Sequence, residues 1–162
     1  MLIQSSYTTF RVHYPDIHLK GKIVYLRGDN CNLTWNKGVI LSQSASNEWS
    51  TALLCPENIT ISVKAMVGES WMIGSNFVFM GGSKQVDIYP CFSPNFNKIV
   101  DKPKIHSSIL GNTRTVSLYF PPSFYDNTLK QYEVLIMHDG QNLFNNSQAA
   151  FGTAWLVQNT IN

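Results

Sequence analysis

From Tyr7 to about Pro90, apolar and polar residues alternate with a period of two, and no stripe of helical spacing interrupts them. Successive side chains of an extended strand point to opposite faces, so this pattern suits half-buried strands and suits a helix poorly. "YTTFRVHY" puts Phe10, Val12 and Tyr14 on one side, and "KIVYLRG" sets Val24 and Leu26 against Ile23, Tyr25 and Arg27. "EWSTALL", "TISVKAMV", "NFVFM" and "QVDIYP" follow, separated by turns rich in Gly, Asn and Ser. Short strands at this spacing predict an antiparallel β-sandwich or open barrel over residues 1–90.

Residues 91–104, "CFSPNFNKIVDKPK", break the pattern and read as a linker or extended crossing, with Pro94 and Pro103 as its punctuation. In "SSILGNTRTVSLYFPPSF" two alternating stretches flank Gly111-Asn112, a pair suited to the positive φ of a hairpin turn. Pro121-Pro122 closes the second of these strands, because proline has no N–H to give a ladder. "YEVLIMH" differs in kind. Its consecutive apolar residues predict a strand covered on both faces, as in a parallel or mixed sheet. The spacing of Trp155, Leu156 and Ile161 predicts the start of an amphipathic helix.

Charge and composition exclude several classes. Hydrophobic residues make up 44% and charged residues 14%, the balance of a globular chain and not of a disordered one. The net charge of +2 comes from scattered Lys and Arg, so no nucleic-acid footprint is expected. The apolar runs are too short to span a bilayer, and no membrane partner is expected. The four histidines lack the spacing of a metal site, and no cofactor is expected. Cys31, Cys55 and Cys91 contain no C-x-x-C pair and read as free thiols, with one disulfide plus a spare as the alternative. The opening "MLIQSSYTTFRVHY" lacks the basic start and apolar stretch of a secretory signal, which points to a cytoplasmic location. The sequons at Asn32, Asn58 and Asn145 then read as chance matches in an Asn-rich chain. "RGD" at 27–29 reads as a strand-end turn, and nothing in the sequence specifies an oligomeric state.

Two stretches carry resemblances. Arg114 opening a strand that ends in Tyr119-Phe120-Pro121-Pro122, followed by "YEVLIMHDGQNLF" and "FGTAW", resembles the amino-terminal part of esterase D-like and enterochelin-esterase-like α/β-hydrolases. The resemblance covers about 55 residues and implies the first strands of an α/β-hydrolase domain over residues 105–162. It further implies a serine esterase whose Asp139, Gly140 and Gln141 lie in the loop that supplies an oxyanion-hole amide. A glycine there lets the backbone turn its N–H toward the developing oxyanion. The nucleophile elbow G-x-S-x-G does not occur; "GESWM" at 68–72 lacks the second glycine. The chain is therefore expected to be a truncated relative of a carboxylic-ester hydrolase, inactive alone, with no catalytic residue of its own.

The β-rich half is similar to starch-binding carbohydrate modules at Gly28, Trp35, Trp49, Pro56, Lys64 and Trp71 to Asn76. This resemblance implies Trp35 and Trp71 as a sugar platform, Lys64 as a hydrogen-bond donor, and a glucan or other polysaccharide as partner. Sugar rings lay their apolar faces against indoles, and a nearby polar group fixes orientation. Leu33-Thr34-Trp35 lacks the glycine usual before the first tryptophan, and Trp49, inside an alternating strand, is expected in the core. An immunoglobulin-like sandwich that positions a substrate would produce many of the same signals.

Overall fold

A computed structural model describes residues 4–93 and 98–160 and is mainly β. One sheet holds β1 (Ser5–His13), β4 (Ser42–Ala45), β5 (Glu48–Pro56) and β9 (Gln85–Ile88) in the order β4-β5-β1-β9. The second holds β2 (Val24–Gly28), β3 (Val39–Ile40), β6 (Thr60–Val67), β7 (Ser70–Trp71) and β8 (Phe77–Met80). Its order is β3-β2-β6-β7, with β8 also on β6. All pairings in both sheets are antiparallel except β1 with β9, which run parallel.

The alternation decides which residues meet between the sheets. Phe10 and Val12 of β1 and Ile88 of β9 face Val24 and Leu26 of β2 and Ile61, Val63 and Ala65 of β6 in one core cluster. All eight are buried, and Trp49 is buried with them as its strand position predicts. Burying a side chain of the Val, Leu, Ile or Phe class contributes about 1.5–3 kcal/mol, so this cluster is the main source of stability in the amino-terminal half. Gly28 lies close against β6, where a Cβ would collide with the Ser62 carbonyl oxygen. That approach lets the Asp29 amide donate to Ser62 O (3.0 Å) and the Ser62 amide to Asp29 Oδ1 (2.8 Å), which ties "RGD" down as a strand-end turn.

The sulfurs of Cys31 and Cys55 form a disulfide, while Cys91 is a buried free thiol. The free-thiol expectation for Cys31 and Cys55 is thus corrected in favour of one disulfide and a spare. Sequence spacing could not reveal this pairing, because it depends on the turn after β2 meeting the end of β5.

Four residues of the expected linker, 94–97, lie outside the described residues, and its remainder from Lys98 is strand. β10 (Lys98–Ser107) pairs antiparallel with β11 (Asn112–Phe120), with a register shift between Lys102 and Ile105. The hairpin turn has Gly111 at φ 62°, and Asn112 already belongs to β11. One short helix, α1 (Asp16–Leu19), follows β1, and another, α2 (Ser123–Asp126), follows Pro121-Pro122 and packs back on the sandwich. Asp126 accepts from the Tyr14 hydroxyl (3.0 Å) and the Phe92 amide (2.7 Å). The fully buried Asn127 amide donates to the carbonyls of His13 (2.8 Å) and Pro90 (2.9 Å).

Two expectations for residues 131–162 differ from the structure. "VLIM" forms no strand: Val134 is 85% exposed and Ile136 83%, and no ladder pairs them. A strand covered on both faces needs neighbours on both edges and layers on both sides, and the described residues supply none of these to 133–138. The amphipathic helix is replaced by a single 3₁₀ turn at Val157–Asn159, with Trp155 58% exposed; Ile161 lies outside the described residues. The α/β-hydrolase layering is accordingly not displayed in this region. Among the described residues no helix is long and apolar enough to cross a membrane.

Candidate functional site

The solvent face of the second sheet is built by register. Tyr25 lies opposite Ile40 on one side and Met66 on the other, and Met66 lies opposite Trp71. Ile40, Tyr25, Met66 and Trp71 therefore form one cross-strand row, and Arg27 and Lys64 form the row beside it. By alternation these lie on the face opposite Val24, Leu26, Val63 and Ala65, although Met66 is itself buried there, at 4% exposure. Trp71 keeps 39% of its surface exposed.

Trp35 reaches the same face from the loop after β2. Asn30, Cys31 and Asn32 take φ of 57°, 50° and 58°, which reverses the chain within three residues. Asparagine tolerates this conformation; cysteine does so less readily, and here the bond to Cys55 anchors it. The Lys37 amide then donates to the Thr34 hydroxyl (3.0 Å), closing a turn that holds Trp35 out at 37% exposure. The two indoles end up side by side, with ring centroids 6.4 Å apart and planes inclined by 34°.

Arg27 joins them. Its guanidinium carbon lies 4.9 Å from the centre of the Trp71 ring, a cation–π contact, and its Nη1 donates to the Trp35 carbonyl at 3.1 Å. Its Nε is buried with no hydrogen-bond partner among the described residues. Lys64, expected as a ligand donor, spends one donor on the Gly74 carbonyl (2.8 Å) and so fixes the loop beyond Trp71. A groove of about 630 Å³ runs alongside, lined by Tyr25, Arg27, Asn36, Lys37, Glu69 and Trp71 among others. Trp35, Trp71 and Lys64, named from the sequence, thus share one face. Arg27 was missed, although the alternation of "VYLRG" already placed it on the Tyr25 side.

The oxyanion-loop candidates lie in a different part of the chain. Asp139 takes φ 55°, and Gly140, Gln141 and Asn142 form one 3₁₀ turn closed by the Asn142 amide on Asp139 O (2.7 Å). The left-handed residue is therefore Asp139, while Gly140 is outside the positive-φ set. All three are exposed. Among the described residues no histidine hydrogen-bonds a serine or cysteine side chain: His13 meets Asp87, His18 the Asp126 carbonyl and His106 Thr113. No group of three or more His, Cys, Asp and Glu among them could hold a metal ion.

An apolar groove of about 460 Å³ separates β11 from residues 132–137, with Leu118, Phe120, Tyr132, Leu135 and Phe144 in its walls. No family model matches the chain, and no curated protein does. Among solved structures, a glycoside hydrolase family 15 glucoamylase from Hypocrea jecorina is similar over 54% of this chain and 17% of its own length. The identity is 15% and the TM-score 0.44, a likeness that carries no weight for fold or function.

Proposed function

We propose that this chain binds carbohydrate, of the glucan class, on the face that carries Trp35 and Trp71. The observation that supports this is the pair of part-exposed indoles with centroids 6.4 Å apart, with Arg27 against the Trp71 ring and bonded to the Trp35 carbonyl. Leaving more than a third of each indole in water forgoes burial that each could have had, and a part-exposed aromatic pair flanked by polar groups suits the C–H faces of linked pyranose rings. Asn36, Lys37 and Glu69 along the groove supply hydrogen-bonding groups for the ring hydroxyls.

Affinity electrophoresis through soluble starch tests the reading. The chain is retarded, and Trp71→Ala or Trp35→Ala weakens binding on the order of tenfold, about 1.4 kcal/mol. Migration unaffected by starch, or retardation that survives both substitutions, overturns it.

A second reading concerns residues 105–162, which we take as related to the opening of an esterase-type α/β-hydrolase and without hydrolytic activity of its own. It is favoured by the motif His138 to Phe144 together with the exposed apolar run Val134–Ile136. Turnover of an activated acetate ester that is blocked by a serine reagent would contradict it.

A further inference from the structure

The disulfide and one sequon point to the same compartment. Cys31 and Cys55 are both buried, and their sulfurs are joined. Structural disulfides form and persist in oxidising environments and are rare where glutathione and thioredoxin keep thiols reduced. Where that environment is a eukaryotic secretory compartment, the chain also meets the chemistry that modifies Asn-X-Ser/Thr.

Asn58, in "NIT", has the environment that a linked glycan requires. It sits in the connection Glu57–Ile59, where the chain leaves β5 of one sheet for β6 of the other, and takes φ 60°. The residue is exposed, and so is Thr60, which supplies the sequon hydroxyl. The backbone amide of Asn58 donates to Gly81 O (3.2 Å), which fixes the turn, while its side-chain amide has no partner among the described residues. A substituent on Nδ2 therefore breaks no contact and projects into water. The other two sequons differ. Thr34 of the Asn32 sequon is engaged by the Lys37 amide (3.0 Å), and Asn145 Oδ1 accepts from the amide (2.9 Å) and hydroxyl (3.0 Å) of Ser147.

Position matters as well. Thr60 begins β6, and Met66, six residues along it, is opposite Trp71. At about 3.3 Å per residue this separates Asn58 from the indole pair by roughly 20 Å of strand. A glycan at Asn58 leaves the platform open.

We infer that Asn58 is an N-glycosylation site and that the chain matures in an oxidising secretory compartment, not in the cytoplasm its sequence suggested. In the first step, the Cys31 and Cys55 thiols lose two protons and two electrons to a protein disulfide, which becomes a dithiol. In the second, the donor is a lipid-pyrophosphate-linked oligosaccharide. Its C1–O bond breaks, a C1–N bond to Asn58 Nδ2 forms, the amide gives up one proton, and the lipid pyrophosphate leaves.

The test uses the full chain isolated from its own cells and, in parallel, a version secreted by a eukaryotic host. Amidase release of N-glycans in heavy-oxygen water converts Asn58 to a labelled Asp in the peptide containing "ENIT". Denatured protein takes up one maleimide, on Cys91, before reduction and three after it. In the secreted version, Asn58→Gln and Thr60→Ala each remove the same single glycan increment, and the unchanged maleimide count shows that both variants retain the disulfide. Three maleimides before reduction, an unlabelled Asn58 in the native protein, or a glycan increment that persists in both variants overturns the inference.

Discussion

Arg27 holds an uncommon position, with its charge against one indole and a hydrogen bond to the backbone of the other. Its planar guanidinium can stack and donate at once, which an ammonium group does poorly. Arg27→Met keeps most of the side-chain volume and removes both interactions. Its retardation in starch is expected to weaken by a factor of roughly two to five, with little change in thermal midpoint, since a cation–π contact at a part-exposed site is worth about 0.5–1 kcal/mol. Another residue-scale effect lies on the opposite sheet. The Arg11 guanidinium, bonded to Asp87 at 2.7 Å and joined by His13 Nε2 at 2.7 Å, holds the Asp87 carboxyl well below the usual carboxylate range. A carboxyl depressed in the fold adds stability above its unfolded value, near 3.9, and that contribution is lost as pH falls further toward the folded value. Melting curves between pH 5 and pH 2 should therefore fall more steeply for the unmodified chain than for Asp87→Asn.

Among the elements, β6 serves both sides of its sheet, with Ile61, Val63, Ala65 and Val67 on the core side and Lys64 and the buried Met66 on the other. Its role was legible because period two fixes both faces at once, and the same logic placed Phe10, Val12, Val24 and Leu26. The α2 segment was not legible. "PPSFYDN" carries no period, and the worth of Asp126 and Asn127 depends on groups more than thirty residues away. Asn127→Ala leaves the carbonyls of His13 and Pro90 without that donor, at a cost of about 1–3 kcal/mol. Asn127→Asp replaces two donors with an acceptor facing two carbonyl oxygens and should be worse still. Urea midpoints ordered parent, then Ala, then Asp would bear this out, and equal midpoints for the two variants would refute it. "VLIM" shows the opposite kind of illegibility. Its composition specifies burial strongly, but the layers that would bury it are not part of the described fold.

For the molecule as a whole, the covalent bond changes the energetics. Cys31 and Cys55 are 24 residues apart, a loop whose closure restricts the unfolded chain by about 3 kcal/mol. Reduction, or Cys31→Ala with Cys55→Ala, should lower the thermal midpoint by roughly 10 °C and loosen the turn that presents Trp35. Starch retardation should then weaken along with stability, whereas the Arg27 substitution weakens retardation with little change in stability. The anchoring of α2 also governs where the polypeptide can be shortened. Cutting it after Pro90, at the last sandwich strand, would deprive the Tyr14 phenol of its acceptor and open the floor beneath His13 to water. A version cut after residue 130 retains those partners, so the smallest well-behaved piece runs well past the boundary that strand count alone would choose.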